Sequence, residues 1–343
     1  WKKKLAHWIR LNLFIPDAKI GWIPFAVKAG KHIIRNENPD IIFSSSPPPT
    51  VHLIAKKLAK WSGIKWVADF RDPWTEIHYY ENQKRTNISS KLDRKYEKFV
   101  LTEADRITCI SQLDILDDFS KKVEKEKCVN IPNGYDESDF SDLINESRNN
   151  NKFVIMHLGA VGRERNPTNL FKVIRILVEE GKIDTTTFCL VFIGNVDNSV
   201  TTSIEEYKIS ELIEIIPQLP HKEALKYSQH ACIMLLLVTQ SEKNNRILPG
   251  KTFEYMRTGK PILALGPKDG EVSRIITETN TGIVINYNNF EKIYDSILGF
   301  YNSWKRTKLD KYTINNKVIS YSRKNLTQKL AAVFENIYNR KVC

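Results

Sequence analysis

Residues 153–181 read F-V-I-M-H-L-G-A-V-G-R-E-R-N-P-T-N-L-F-K-V-I-R-I-L-V-E-E-G. The first six make a near-continuous apolar run of strand length, the pattern of a strand covered on both faces. Gly159–Arg165 then form a glycine-bearing loop, and Asn166 and Pro167 suit the N-cap and first position of a helix. Leu170, Val173, Ile174, Leu177 and Val178 recur at i, i+3, i+4, i+7 and i+8, so one helix face is apolar until Gly181 stops it. Strand, loop and amphipathic helix in this order predict a parallel α/β sheet.

The pattern continues downstream. F-C-L-V-F-I-G (188–194), I-E-I-I-P (213–217), A-C-I-M-L-L-L-V (231–238), I-L-A-L (262–265) and G-I-V-I-N (282–286) read as strands, with helices opening at Lys222, Lys251 and Asn289. Upstream, 23–35 reads as a helix and I-I-F (41–43) as a strand, while S-S-S-P-P-P-T (44–50) is incompatible with helix or central strand. Val51, Ile54, Ala55 and Leu58 then share a helical face that ends at Gly63. K-W-V-A-D-F (65–70) is a strand leading into R-D-P-W (71–74), followed by a helix over Ser89–Ala104 and a strand, D-R-I-T-C-I, before a helix capped by Ser111. E-K-C-V-N-I-P adds a strand, and Asn133–Gly134 a tight turn. The polar, asparagine-rich run at 141–152 marks a domain boundary. The expectation is two Rossmann-like parallel-sheet domains facing a cleft, 1–145 and 146–304. A helical segment, 305–343, presents Leu326, Leu330, Val333, Phe334 and Ile337 on one face, which suits packing on either domain, back on the first included.

Composition narrows the class. The 343 residues are 41% hydrophobic and 27% charged, which suits a folded protein with two cores. A net charge of +12 points to anionic partners: phosphates, an acidic membrane surface or nucleic acid. Cations are not interleaved with aromatics along one stretch, which disfavours nucleic acid. Residues 1–15, W-K-K-K-L-A-H-W-I-R-L-N-L-F-I, suit either the surface of an anionic membrane or a basic cover on the chain's own domain. No apolar run reaches the ~18 residues of a membrane span. Five widely spaced cysteines without a C-x-x-C pair suit a reducing, cytoplasmic setting, peripheral to the inner face of the membrane if residues 1–15 bind it.

Chemistry concentrates in two loops. L-P-G-K-T-F-E-Y-M-R-T-G-K-P-I-L-A-L (248–265) breaks at Pro249 and Gly250, opens a helix at Lys251 and ends it at Gly259. Gly250 and Lys251 there would seat a diphosphate, leaving Glu254 for sugar hydroxyls; the competing reading is a dipole-favoured first-turn acid beside a solvated lysine. Gly159, Arg163 and Arg165 offer a second phosphate-ready loop, or an ordinary β-α loop with surface arginines. There is no G-x-x-x-x-G-K-[ST], G-x-G-x-x-G or G-x-S-x-G, which argues against P-loop phosphoryl transfer, a standard dinucleotide site and a serine hydrolase. Seven scattered histidines and the lack of D-x-D predict no metal site and no cofactor. His52 and His221 are expected to cap or to lie on the surface.

Taken together, D-I-I-F-S-S-S-P-P-P-T-V-H-L-I-A, W-V-A-D-F-R-D-P-W-T, A-D-R-I-T-C-I-S, I-P-N-G-Y-D and G-K-T-F-E-Y-M-R-T-G-K-P-I-L-A-L-G-P resemble the family-four glycosyltransferases, retaining nucleotide-sugar enzymes of GT-B fold. The subgroup with R-D-P-W and P-G-K-x-F-E-Y is mostly linked to bacterial surface polysaccharide. The resemblance implies that Glu254 meets the donor ribose and that Arg165 stands where the family's diphosphate-binding lysine lies. It implies that Arg71 and Asp72 face the transferred sugar, and that cleft closure assembles the site. Ala160 holds the place of the family's partner arginine, and Arg246 that of the first acid of its E-x7-E element. It also implies a preceding strand and glycine-rich loop, so the first domain is expected to lack its N-terminal part. The implied partners are a nucleoside-diphosphate sugar and a glycan or lipid-linked acceptor. The alternative is a non-catalytic nucleotide-sugar or glycan-binding relative.

Overall fold

Strand and helix formers alternate along the chain, and the structure, a computed structural model, turns that alternation into two parallel sheets. It describes residues 1–76, 83, 85–141, 151–241, 244–307 and 314–339. The expected boundary at 145/146 and Cys343 lie outside them. Two compact units emerge: Trp1–Pro132 with Leu326–Cys343, and Asn133–Asn325.

In the first unit, α1 (Lys2–Leu13) and α2 (Ile23–Glu37) precede β1 (Ile41–Ser46), α3 (Thr50–Ser62), β2 (Lys65–Phe70), α4 (Asn87–Glu103), β3 (Arg106–Cys109), α5 (Gln112–Asp117) and β4 (Cys128–Asn130). The strands lie in the order β1-β2-β3-β4, all parallel, with Ser46 opposite Phe70 and Phe70 opposite Cys109. Trp66, Ala68, Phe70, Ile107 and Cys109 pack on one face with Leu53 of α3 and Val100 and Leu101 of α4. Val67 and Ile131 pack on the other with Leu326, Val333 and Ile337 of the last helix, α13 (Arg323–Asn339).

Two local expectations are corrected here. Ser44–Ser46 complete β1, which is an edge strand of the described sheet and not a central one, but Thr50 opens α3, so a helix begins at the last residue of the stretch expected to exclude one. His52 is neither a cap nor on the surface: it is fully buried, with its ring nitrogens 2.8 Å from Ser44 Oγ and from Ser46 Oγ. Burial pushes its pKa down to about 3. Drawing His52 inward sets the rotation of α3, which buries Thr50, His52, Leu53 and Ala55, while Leu58 turns toward Gly30 of α2.

The second unit contains β5 (Phe153–Leu158), α6 (Thr168–Glu179), β6 (Phe188–Ile193), α7 (Asn198–Glu206), β7 (Ile213–Ile216), α8 (His221–Tyr227), β8 (Ile233–Leu237), α9 (Lys251–Arg257), β9 (Ile262–Leu265), α10 (Glu271–Thr279), β10 (Gly282–Ile285), α11 (Phe290–Thr307) and α12 (Asn316–Ile319). Its strand order is β10-β9-β8-β5-β6-β7, again all parallel. Every residue of β8 is buried because both faces are covered. Ile233, Leu235 and Leu237 join Leu170, Phe171 and Ile174 of α6 on one side, while Met234 and Leu236 join Phe253, Met256 and Ile275 of α9 and α10 on the other. The apolar face expected for α6 is present, with Phe171 added to it and Val178 only partly buried. Its start is shifted: Pro167 is the N-cap and the Asn166 amide instead donates to Ser199 O and Ser203 Oγ, both at 3.0 Å.

Candidate functional site

The strand order of the second sheet reverses between the parallel neighbours β5 and β8, the position where the loops after two adjacent strands diverge and leave a crevice at their C-terminal ends. The loop after β5 carries Gly159–Arg165, and the segment after β8 leads to Lys251. Topology alone therefore brings the two predicted phosphate loops to one place.

Gly159 leaves β5 with φ +108°, a conformation that glycine adopts without the steric cost of a Cβ. A Cβ there would also fall 2.5 Å from Lys251 Nζ, because the ammonium lies directly over the glycine. Lys251 Nζ donates to the Leu158 carbonyl at 2.6 Å. One turn along α9, Tyr255 Oη accepts a hydrogen bond from the Leu158 amide at 2.7 Å, so both backbone groups at the end of β5 are held by one helix face. Burial, with the Arg165 cation nearby, lowers the Lys251 pKa from 10.5 to about 8 despite the pull of Glu254. A shift of that size represents about 3 kcal/mol against the charged form.

Arg165 closes a short 3-10 turn, Arg163–Arg165. Its Nε donates to Thr239 Oγ1 at 3.1 Å and its Nη1 to the Ala160 carbonyl at 3.3 Å. Neither Arg165 nor Lys251 forms a salt bridge among the described residues; both cations rest on carbonyl and hydroxyl oxygens. The buried neutral His157 reports the same field: its Nδ1 donates to Leu235 O at 2.9 Å, and its pKa falls to about 3 through burial and then through Lys251. Arg163 is exposed, and its charge helps to hold Asp197 below the usual carboxylate range, after the hydrogen bonds from Ser199.

Gly250 has right-handed backbone angles, φ −56°, and open space where a Cβ would stand. Glu254 is partly exposed, and its Oε1 lies 3.0 Å from His221 Nε2. His221 is therefore on the surface, as expected of it, yet engaged with a predicted site residue. Arg246 ends a separate 3-10 turn, Asn244–Arg246.

Arg71 and Asp72 belong to the first unit and follow β2. Arg71 Nη1 donates to Ile131 O at 3.1 Å and lies 3.5 Å from buried Asp69, while Asp72 is exposed. The structure thus groups Gly159, Arg165 and Lys251, with Glu254 on the same short helix as Lys251, and places Arg71 and Asp72 on the other sheet. Sequence reading missed Tyr255, Thr239, His157 and the role of His221. The spacing of Lys251 and Tyr255, i and i+4, was the available signal for Tyr255. Among the described residues no group of three or more His, Cys, Asp or Glu could hold a metal ion, and no helix is long and apolar enough to cross a membrane.

Residues 3–139 match the family model Glycosyltransferase Family 4, and residues 139–317, more than half of the chain, match Glycosyl transferases group 1. The chain is 26% identical over 270 residues to the "Probable glycosyltransferase WbjE" of Pseudomonas aeruginosa, a match covering 75% of this chain and 64% of that protein. Its fold is similar to that of a sucrose-phosphate synthase from Thermosynechococcus elongatus, with TM-score 0.68, 13% identity and coverage of 94% and 80% of the two chains. The Anabaena protein HepE, solved with UDP, gives TM-score 0.65 at 12% identity, covering 91% of this chain and 82% of that one.

Proposed function

Because the chain belongs to the glycosyl transferases of group 1, with a family-four first half and a GT-B-type pair of parallel-sheet domains, we propose that it transfers a sugar from a nucleoside diphosphate to a glycan or lipid-linked acceptor. The observation that carries the reading is the pair of cations, Lys251 and Arg165, held at the switch point on oxygen acceptors and, among the described residues, in no salt bridge. A diphosphate supplies the missing negative charge. Charge develops on that diphosphate as the glycosidic bond breaks, and preorganised cations stabilise it without a metal. Gly159 makes room for the Lys251 ammonium beside the phosphates, Gly250 lets them approach the backbone, Arg163 adds charge at the rim, and Glu254 accepts hydrogen bonds from the ribose. The UDP in the Anabaena relative supports a nucleotide donor.

On the first unit, Arg71 and Asp72 serve the transferred sugar and its acceptor, with retention of configuration. The product belongs in bacterial surface polysaccharide, made at the cytoplasmic face of the membrane. The exposed Trp1, Leu5 and Trp8 and the acid-free sequence of α1 support contact with anionic lipid. Flotation with phosphatidylglycerol vesicles should depend on residues 1–15; equal recovery without them removes the membrane contact.

A thermal-shift screen with UDP-, GDP-, ADP- and TDP-sugars, followed by turnover of the stabilising donor, tests the main reading. One donor should stabilise the protein and be consumed. Stabilisation without turnover would instead select the non-catalytic relative, which Arg246 in place of the first acid favours. No stabilisation, or nucleotide affinity unchanged by Glu254→Ala, removes the donor site.

A further inference from the structure

Glu254 has a partner that its proposed role does not require. His221, the first residue of α8, sets Nε2 3.0 Å from Glu254 Oε1. Its other nitrogen, Nδ1, lies 4.0 Å from Asp139 Oδ2, in the 3-10 turn Glu137–Phe140. Three elements distant in sequence thus converge in a row, carboxylate, imidazole, carboxylate, all within the second unit. Among the described residues, His221 is the hydrogen-bond partner of Glu254, and it takes one of the two carboxylate oxygens.

We propose that His221 is a positioning residue for the donor site: it anchors Glu254 Oε1, leaving Oε2 directed at the ribose hydroxyls of the nucleotide, with Asp139 near the other ring nitrogen but beyond hydrogen-bond distance. A glutamate on a helix surface samples many rotamers, and fixing one oxygen removes most of that freedom before the ligand arrives. A carboxylate so fixed reads a vicinal diol, so His221 contributes to preference for ribose over a sugar without those hydroxyls. The inference rests on Glu254 as the ribose acceptor of the proposed function.

The test is calorimetric titration of the full chain with UDP, GDP and ADP and with their 2′,3′-dideoxy counterparts, using wild type, His221→Ala, His221→Gln, Glu254→Ala and the double alanine variant. For the nucleotide that binds wild type, His221→Ala should weaken the ribose form about tenfold, the scale of one charge-assisted hydrogen bond, and leave the dideoxy form unchanged. His221→Gln, which keeps a donor near the same place, should restore most of the affinity. In the Glu254→Ala background His221→Ala should have no further effect. Unchanged ribose binding by His221→Ala, an equal loss for ribose and dideoxy forms, or full additivity of the two alanine substitutions overturns the positioning role. Failure of all three nucleotides to bind wild type is a different result: it overturns the donor reading and this inference with it.

Discussion

Each unit presents a charged loop at the C-terminal end of its parallel sheet, and the two treat their charges in opposite ways. Around Arg71–Thr75 in the first unit, charges are matched internally. Trp74 Nε1 donates to Asp93 at 2.7 Å, and Asp93 pairs with Arg85 at 2.6 Å. One helical turn on, Glu97 accepts from Thr75 N and Oγ1 and pairs with Lys122 at 2.6 Å. Arg71 itself lies 3.5 Å from Asp69, which also accepts from Ser45 and Thr108. In the second unit, among the described residues, Lys251 and Arg165 hydrogen-bond to neutral oxygens, and Glu254 acts on Lys251 through its charge without a salt bridge. Carboxylates spaced i and i+4 on α4 make the first loop a fixed scaffold. The second has cation capacity left for an anion from outside, which is why the donor phosphates are assigned there.

The comparison breaks most easily at Glu97. Glu97→Ala strands two Thr75 donors and leaves Lys122 with Asp118, 2.6 Å away, as its remaining carboxylate, so it should cost the fold about 3 kcal/mol in urea unfolding. A loss below about 1 kcal/mol would mean that the α4 carboxylates do not fix the first loop.

Lys251→Met should do the reverse. The ammonium is stored in an unfavourable, buried state, so the ligand-free protein should keep or gain melting temperature. Nucleoside-diphosphate affinity should fall by about 2–3 kcal/mol, the worth of a charge-assisted contact. Destabilisation without loss of affinity would make Lys251 a structural residue like Lys122.

The smallest effect is a pH dependence. With its pKa lowered to about 8, Lys251 is charged below that value and neutral above it. Diphosphate affinity should therefore be full below about pH 8 and fall by up to about tenfold per pH unit above it, a slope that Lys251→Arg should abolish. Bound diphosphate favours the charged lysine and raises its pKa, so the fall begins near the ligand-free value and levels off above the raised one. A profile that is flat from pH 7 to 9.5 would remove Lys251 from the ligand.

Much of this was legible in the chain itself. The apolar runs at 153–158 and 231–238 and the i, i+3, i+4 spacing of Leu170, Val173, Ile174 and Leu177 depend on local periodicity, so strands, helices and their parallel arrangement follow from them. The Gly159 loop and the K-x-x-E of α9 were legible for the same reason: glycine and charge types mark what a loop permits. Helices α7 and α10 were not read. The Asn198–Glu206 segment is rich in Ser, Thr and Glu, and its few buried residues, Val200, Ser203 and Ile204, leave little periodic signal.

Residue types and their spacing by themselves determined the class of fold, the two candidate loops and the absence of standard phosphate-binding and hydrolase motifs. Tertiary structure decided which groups meet. Strand order set β8 beside β5 and so carried Lys251 over Gly159 and its ammonium to the Leu158 carbonyl. Folding drew His52 into the core and brought His221 and Asp139 in line with Glu254. Apart from His52 and its nearby serines, these pairings join residues far apart in the chain, and propensity and periodicity, which act over a few residues, carry no information about them.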